Sequence, residues 1–290
     1  MNPYHQYVSQ LERLVREGKD FPLGGFPRPA RPAIPSDAPR ALIFAPHPDD
    51  ECIIGGLAVR LQRESGMRIV NVAVTQGSNK ARQAERWIEL REACDYLGFD
   101  LVETTPGGLE GVNVRTRTDD PAGWGRSVDI IARVIAEQKP AAVFFPHETD
   151  WNSTHIGTHH LLIDALGRQP PGFTCVVVET EFWGAMATPN LMVQSSVDEV
   201  AEMMTALSFH AGEVRRNPYH LLVPAWMQDN VRRGGELVGG QGGAAPDFTF
   251  CTLYRLGEWA EGGLRRTFEG GRSLPAGTDA AGAIGIRPAR

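Results

Sequence analysis

With 290 residues, 42% of them hydrophobic, the chain is long enough to bury one large core, with or without an appended lobe. A net charge of -6 and the lack of a long Lys/Arg cluster argue against nucleic-acid and anionic-membrane partners and leave small molecules as the substrate class. Cys52, Cys94, Cys175 and Cys251 form no CxxC pair, the N-terminus lacks a central apolar run, and no 18-residue apolar stretch occurs, so a cytoplasmic, soluble protein without a disulfide framework is expected.

Along the chain, the segment from Phe21 to Arg40 holds six prolines and the adjacent Gly24 and Gly25, which predicts an extended lead-in. Regular alternation follows: a strand at 41–45, a helix from about Glu51 to Glu64, a strand at Arg68–Thr75, a helix from about Ala81 to Leu97 and a strand at 101–104. A helix at about 126–138, a strand at 141–146, a helix at about 155–167 and a strand at 173–180 come next. Strands alternating with helices imply βαβ units. The expected fold class is therefore α/β and Rossmann-like, a mainly parallel sheet with helices on both faces plus a C-terminal extension.

The Gly-, Thr- and Asp-rich stretch between Thr105 and Gly125 has the length of a functional loop and is expected to be a substrate lid or rim. Beyond Thr180 the pattern weakens into Leu191–Ser196, a helix near Val197–Ser208, and an aromatic region through Trp226 and Tyr254 that could serve a homo-oligomer interface. The expected divisions are a lead-in at 1–39, a catalytic domain at 40–256 and a Gly/Ala/Arg-rich tail at 257–290. No GxGxxG follows the first strand, and Gly55-Gly56 falls inside a predicted helix, so the dinucleotide fingerprint is missing.

The densest chemistry stands where the first strand ends, in Ala45-Pro46-His47-Pro48-Asp49-Asp50-Glu51. Ligands bind at the carboxyl ends of strands in open α/β sheets. Three successive carboxylates repel one another unless a cation is present, which points to a divalent metal. The spacing of His47 and Asp50 lets both converge on one ion, and Asp49 between them is placed to take a proton from a metal-bound water. The competing use of Asp49 or Asp50 is to cap the following helix.

A second histidine cluster follows the strand at 141–146. His155 and His159 share a helix face but lack the Glu of an HExxH motif, and His160 is expected on the surface or in packing. Asp150 either orients His155 or is a simple loop acid. Gly77, after the second strand, opens onto the same face and either permits close approach of a substrate or makes a plain turn. Trp124 and Trp151 offer ring faces to a sugar, or to core and rim packing.

Together these segments resemble the PIG-L, or LmbE-like, family of zinc-dependent N-deacetylases, whose hallmark is a strand followed by A-H-P-D-D-E. The resemblance runs over roughly residues 40–220 and continues in R-x-x-E-L-x-x-A-x-x-x-L-G, matched by Arg86, Glu89, Leu90, Ala93, Leu97 and Gly98. It implies zinc ligands at His47, Asp50 and His155, Asp49 as general base, and a coordination position left for water. It also raises Arg86 from an exposed partner of Glu89 to a substrate-binding group. Where the family has the first His of H-P-D-H, this chain has Asn152, which can donate a hydrogen bond but cannot deliver a proton. His210 falls in a segment similar to the family's A-L-x-x-H-x-S-Q, as a pocket group or else a satisfied core or helix-terminal histidine. Asn152 or His210 is then expected to polarise the carbonyl, with Asp49 returning its proton to the nitrogen.

The implied activity is removal of an N-acetyl group from an amino sugar or related small molecule. The substrate partner is then a small N-acylated molecule, and zinc is the expected cofactor, though a His/His/Asp set also accepts Fe, Co or Ni. Competing readings are an amidase acting on larger amide or thiol conjugates, a metal-binding protein with lost catalysis, and a non-haem iron oxygenase, for which the base-like Asp49 has no use.

Overall fold

The computed structural model describes residues 2–181, 183–267 and 270–286. Helix α1, Pro3–Gly18, starts on an Asn2 cap with proline in its first turn, and of its residues only Gly18 is buried. Its apolar residues recur at helical spacing among charges, which is why no central apolar run marks it in the sequence. Helix α1 lies within the expected lead-in at 1–39, whereas residues 21–39, the proline-rich part, contain no helix or strand, as expected.

Strand β1 is Arg40–Ala45. It is followed by α2, Asp50–Ile53, α3, Gly56–Ser65, β2, Arg68–Ala73, α4, Gln83–Leu97, and β3, Asp100–Glu103. Next come α5, Val114–Asp119, α6, Pro121–Gln138, β4, Ala142–Pro146, α7, Ser153–Leu166, and β5, Cys175–Thr180. The final part holds β6, Leu191–Ser195, α8, Val197–Ser208, α9, Ala211–Val214, and α10, Val223–Leu237. It ends with β7, Phe250–Ala260, β8, Gly263–Arg266, β9, Arg272–Leu274, and α11, Ala280–Ala283.

The strands form one sheet in the order β3-β2-β1-β4-β5-β7-β6-β9, with β8 paired to β7. The first five are mutually parallel, and β7 runs antiparallel between β5 and β6. Strands β1 and β4 are buried at nearly every position, as a parallel sheet covered on both faces requires. One core layer contains Leu57, Leu61, Met203 and Leu207, and the other Val128, Ile131, Leu161 and Leu162. The fold is the expected Rossmann-like α/β. Among the described residues no helix is long and apolar enough to cross a membrane.

Three expectations change. The helix read at 51–64 is two helices, α2 and α3, broken at Ile54-Gly55. A Cβ at Gly55 would lie 2.7 Å from the Glu51 carbonyl oxygen, and one at Gly56 would crowd Thr252 and Tyr254. The Tyr254 hydroxyl bridges the break, accepting from Leu57 N at 2.9 Å and donating to Ile54 O at 3.2 Å. Tyr254→Phe orphans both buried backbone groups and is expected to lower stability by about 1–3 kcal/mol. Urea denaturation checks this, and an unchanged midpoint would show that the hydroxyl does not support the break.

Secondly, the long loop is shorter than expected, because α5 and the first turns of α6 lie within 105–125. Asp120 caps α6 through Gly123 N, with Pro121 in the first turn, a start signal that precedes the apolar periodicity. Thirdly, the boundary at 256/257 falls inside β7, which pairs with β5 through Trp259. Residues past the boundary are bound to the core by the fully buried Arg60, whose guanidinium donates to the carbonyls of Leu274, Pro275 and Thr278.

Candidate active site

Strands β1 and β4 are neighbours, yet the chain between them goes out through β2 and β3 and returns. That reversal is a topological switch point, where a crevice opens beyond the carboxyl ends of the strands. His47 and Asp50 follow β1, and His155 lies in the first turn of α7 after β4. Their ligand atoms all lie within 4.8 Å of one another.

Asp50 Oδ2 is 3.4 Å from His47 Nδ1 and 3.2 Å from His155 Nε2, and it accepts the His47 backbone N–H at 2.9 Å. Asp150 Oδ2 stands 3.4 Å from the other nitrogen of His155. A proton on that Nδ1 leaves the Nε2 lone pair facing a carboxylate. Both His155 Nε2 and Asp50 Oδ1 are buried without a hydrogen-bond partner. A cation between the groups would satisfy both.

The electrostatics agree. Burial pushes Asp50 up, but His155 and His47 outweigh it and hold the carboxyl far below its usual range. Burial likewise opposes charge on His155, yet Asp50 and Asp150 raise its imidazole to about 10. Two histidines and a carboxylate with a position to spare fit a divalent transition metal.

Two further groups of ligand-type side chains are otherwise engaged. Among Glu148, His159 and Glu179 lies the Arg255 guanidinium, which donates to both Glu179 oxygens, at 2.5 and 2.6 Å, and to Glu148. His159 Nδ1 bonds to the Pro146 carbonyl, so it shares a helix with His155 without sharing its site. His160 is partly exposed and stacks edge-on against His159, in line with a packing role. Glu51, Cys52 and His210 are buried, with Cys52 Sγ and His210 Nε2 both bonded to Glu51 Oε1, and burial raises the Cys52 thiol well above its usual value.

Asp49 has a φ of +122°, a strained conformation for a residue with a side chain. It makes no side-chain cap to α2, so the capping alternative is not realised. Its backbone N–H donates to Glu51 Oε2 at 3.0 Å, and Glu51 Oε1 is bonded to His210 Nε2 at 2.7 Å. The Tyr219 hydroxyl donates to Asp49 Oδ2 at 2.6 Å, and Arg86 Nη2 lies 3.7 Å from that same oxygen. Burial, reinforced by the charge of Asp50, raises the Asp49 carboxyl to about 6 against the pull of Arg86, His210 and Tyr219.

A cleft of about 420 Å³ opens beside His47, lined by Thr75, Gly77, Gln83, Asn113 and Thr154 among others. The stretch from Leu109 to Asn113 forms part of its wall, the place expected for the 105–125 segment. A larger hollow of about 690 Å³ lies between the lead-in and α4, away from the metal-type ligands.

Arg86 is not an exposed partner of Glu89. Its Nη2 donates to the Pro48 carbonyl at 2.7 Å, whereas Glu89 accepts from Gly212 N at 2.8 Å. Gly77 has a φ of +80°, and a Cβ there would stand 2.3 Å from Arg86 Nη1, so the glycine makes room for that guanidinium. Asn152 caps α7, its Oδ1 accepting from Thr154 N and His155 N. His210 is fully buried on Glu51, the place of a satisfied core histidine rather than of a pocket group beside the carbonyl. Trp124 is a core residue, whereas Trp151 is 70% exposed. Sequence reasoning missed Tyr219, 170 residues from its partner Asp49, and the clamp formed by Glu51. For Glu51 the only signal was its place in the motif.

The PIG-L family model, described as GlcNAc-PI de-N-acetylase, matches residues 42–166. No curated protein matches the chain by sequence. Among solved structures, N,N'-diacetylchitobiose deacetylase from Pyrococcus horikoshii is 18% identical with a TM-score of 0.54, over 88% of this chain and 93% of that one. A deacetylase of teicoplanin biosynthesis is 17% identical with a TM-score of 0.53, over 74% of this chain and 97% of its own. The 4-carboxy-2-hydroxymuconate hydratase GalB from Pseudomonas putida KT2440 is 18% identical with a TM-score of 0.54, over 82% and 100%. At these identities the likeness establishes the fold, and a hydratase among these structures means that the fold alone does not choose the reaction. The matched segment contains His47, Asp49, Asp50 and His155, and over that segment this chain is similar to the PIG-L family.

Proposed function

We propose that this protein is a metal-dependent N-deacetylase, of the zinc type, acting on an amino sugar or a related small amide. One observation carries the reading. A His47–Asp50–His155 set is joined at one strand end by Asp49, whose strained backbone and bonds to Tyr219 and Glu51 keep it apart from those ligands.

An ion held by His47, Asp50 and His155 supplies Lewis acidity toward the amide carbonyl and a more acidic water. Asp49 accepts the proton of the attacking water and returns it to the departing nitrogen. Tyr219 and Arg86 hold Oδ2, leaving Oδ1 for that work. Asn152 commits its Oδ1 to the helix cap and keeps its amide N–H groups as donors to the carbonyl oxygen. His210 acts through Glu51 on the backbone of Asp49 rather than on substrate. The hydroxyl and amide groups of the cleft, with Gly77 in its lining, suit a polyhydroxylated amine.

The test is amine release by zinc-loaded protein from a panel of N-acetylated amino sugars and other small amides. Release from at least one is expected, and silence across the panel, with activity toward an unsaturated carboxylic acid instead, would overturn the reading in favour of a hydratase. Asn152→Asp keeps the cap acceptor and removes the donor. It is expected to lower turnover by about 10²-fold with little change in unfolding temperature. Unchanged turnover would remove Asn152 from the reaction.

A further inference from the structure

A row of aromatic rings climbs from Asp49 to the surface. Tyr219, bonded to Asp49, meets Trp183 edge to face with centroids 5.4 Å apart, and Trp183 meets Trp151 in the same way at 6.2 Å. Exposure rises along the row, from buried Tyr219 through half-buried Trp183 to Trp151 at 70%.

The exposure of Trp151 is not explained by a need to bring its polar atom to water. Its Nε1 donates inward to the Trp183 carbonyl at 2.6 Å. That bond and the edge contact fix the indole, so the surface it offers is apolar and set in one orientation. The segment carrying Trp183 is docked on the site as well. Gly184 N donates to Asp150 Oδ2 at 3.3 Å, the same oxygen that faces His155, and a Cβ at Gly184 would lie 2.7 Å from Asp150 Cα. On its other side in the chain, Trp151 is followed after Asn152 by Ser153 and Thr154, which line the cleft.

We propose that Trp151 and Trp183 form a subsite for the flat apolar face of a ring attached to the amine-bearing part of the substrate. This rests on the deacetylase reading above. A second pyranose, through its C–H face, and an aromatic aglycone share the required chemistry. The polar cleft handles hydroxyl groups, and the fixed indole adds affinity for a ring lying beyond them. An advantage of about tenfold, equivalent to about 1.4 kcal/mol, is expected for ligands that carry such a ring.

Calorimetric titration of the zinc-loaded protein with product amines tests this without requiring turnover. The probes are glucosamine, p-nitrophenyl β-glucosaminide and the disaccharide of two glucosamines. Both ring-extended amines, or one of them, should bind about tenfold more tightly than glucosamine, the aryl probe leading for an aromatic aglycone and the disaccharide for a second sugar. Trp151→Ala should erase the advantage, and Trp151→Phe, which keeps a smaller ring, should retain part of it. Equal affinities, binding of none, or an advantage that survives Trp151→Ala would overturn the subsite. Hydrolysis of the N-acetylated forms is followed in parallel. Absence of hydrolysis with the binding advantage intact counts against the deacetylase reading and not against the subsite.

Discussion

Asp49→Asn is expected to reduce amide hydrolysis by about 10²–10⁴-fold while leaving the metal in place, the range in which a positioned general base contributes. The substitution is nearly isosteric and removes none of the three ligands. The Tyr219 hydroxyl retains an acceptor in the Asn side-chain oxygen, and Glu51 still receives the backbone N–H that stabilises the φ of +122°. What disappears is the capacity to take a proton. Turnover on a substrate found in the panel, measured with zinc content on the same preparations, separates the possibilities. Activity within a few-fold of wild type would remove Asp49 as the base. Loss of zinc together with activity would make it a contributor to ligation instead.

His155→Ala is expected to abolish activity and to drop the zinc content from about one ion per chain to near zero, because a three-ligand set loses the member supplied by the second strand end. The larger consequence is for the fold. Asp50 is 1% exposed, and its Oδ2 has His155 Nε2 and His47 as its neighbours. Removing the imidazole leaves a buried carboxylate short of compensation, which costs about 3–5 kcal/mol in comparable cases. His155→Gln keeps a donor near Asp50 and serves as the control. It should lose zinc with a smaller loss of stability. Added zinc should raise the unfolding temperature of wild type by several degrees through preferential binding to the folded state, and that increment should vanish in both variants. A zinc-induced increment that persists in either would place the ion elsewhere.

How far the chain could be read without its structure depends on how local each feature is. His47, Asp49 and Asp50 lie within four residues at the end of an apolar run, and the repulsion among neighbouring carboxylates is a property of that segment alone. The β–α alternation from Arg40 to Thr180 is legible for a similar reason. Buried parallel strands are continuous apolar runs, and each intervening helix carries its own periodicity. A second strand ending in a histidine cluster marks where a third ligand could come from in a doubly wound sheet, but His155, 105 residues beyond Asp50, was singled out from that cluster by the family resemblance.

The misses share a different cause. Nothing near Ile54 says that a helix must break there, since the hydroxyl that bridges the break comes from Tyr254 in β7. Nothing near Ala260 says that the strand it ends lies between β5 and β6, because antiparallel pairing is decided by partners far away in sequence. His210 looks like a pocket residue by its motif and is a buried brace by its contact with Glu51. The sequence by itself therefore determined the fold class and the gathering of His47, Asp49 and Asp50 in one segment at a strand end, because local hydrophobic patterning and adjacent charge decide those. Only the tertiary structure decided which groups hold Asp49 in its strained geometry, which residues cap or brace rather than react, and where an exposed indole meets the site. Those depend on side chains that become neighbours only once the sheet has closed.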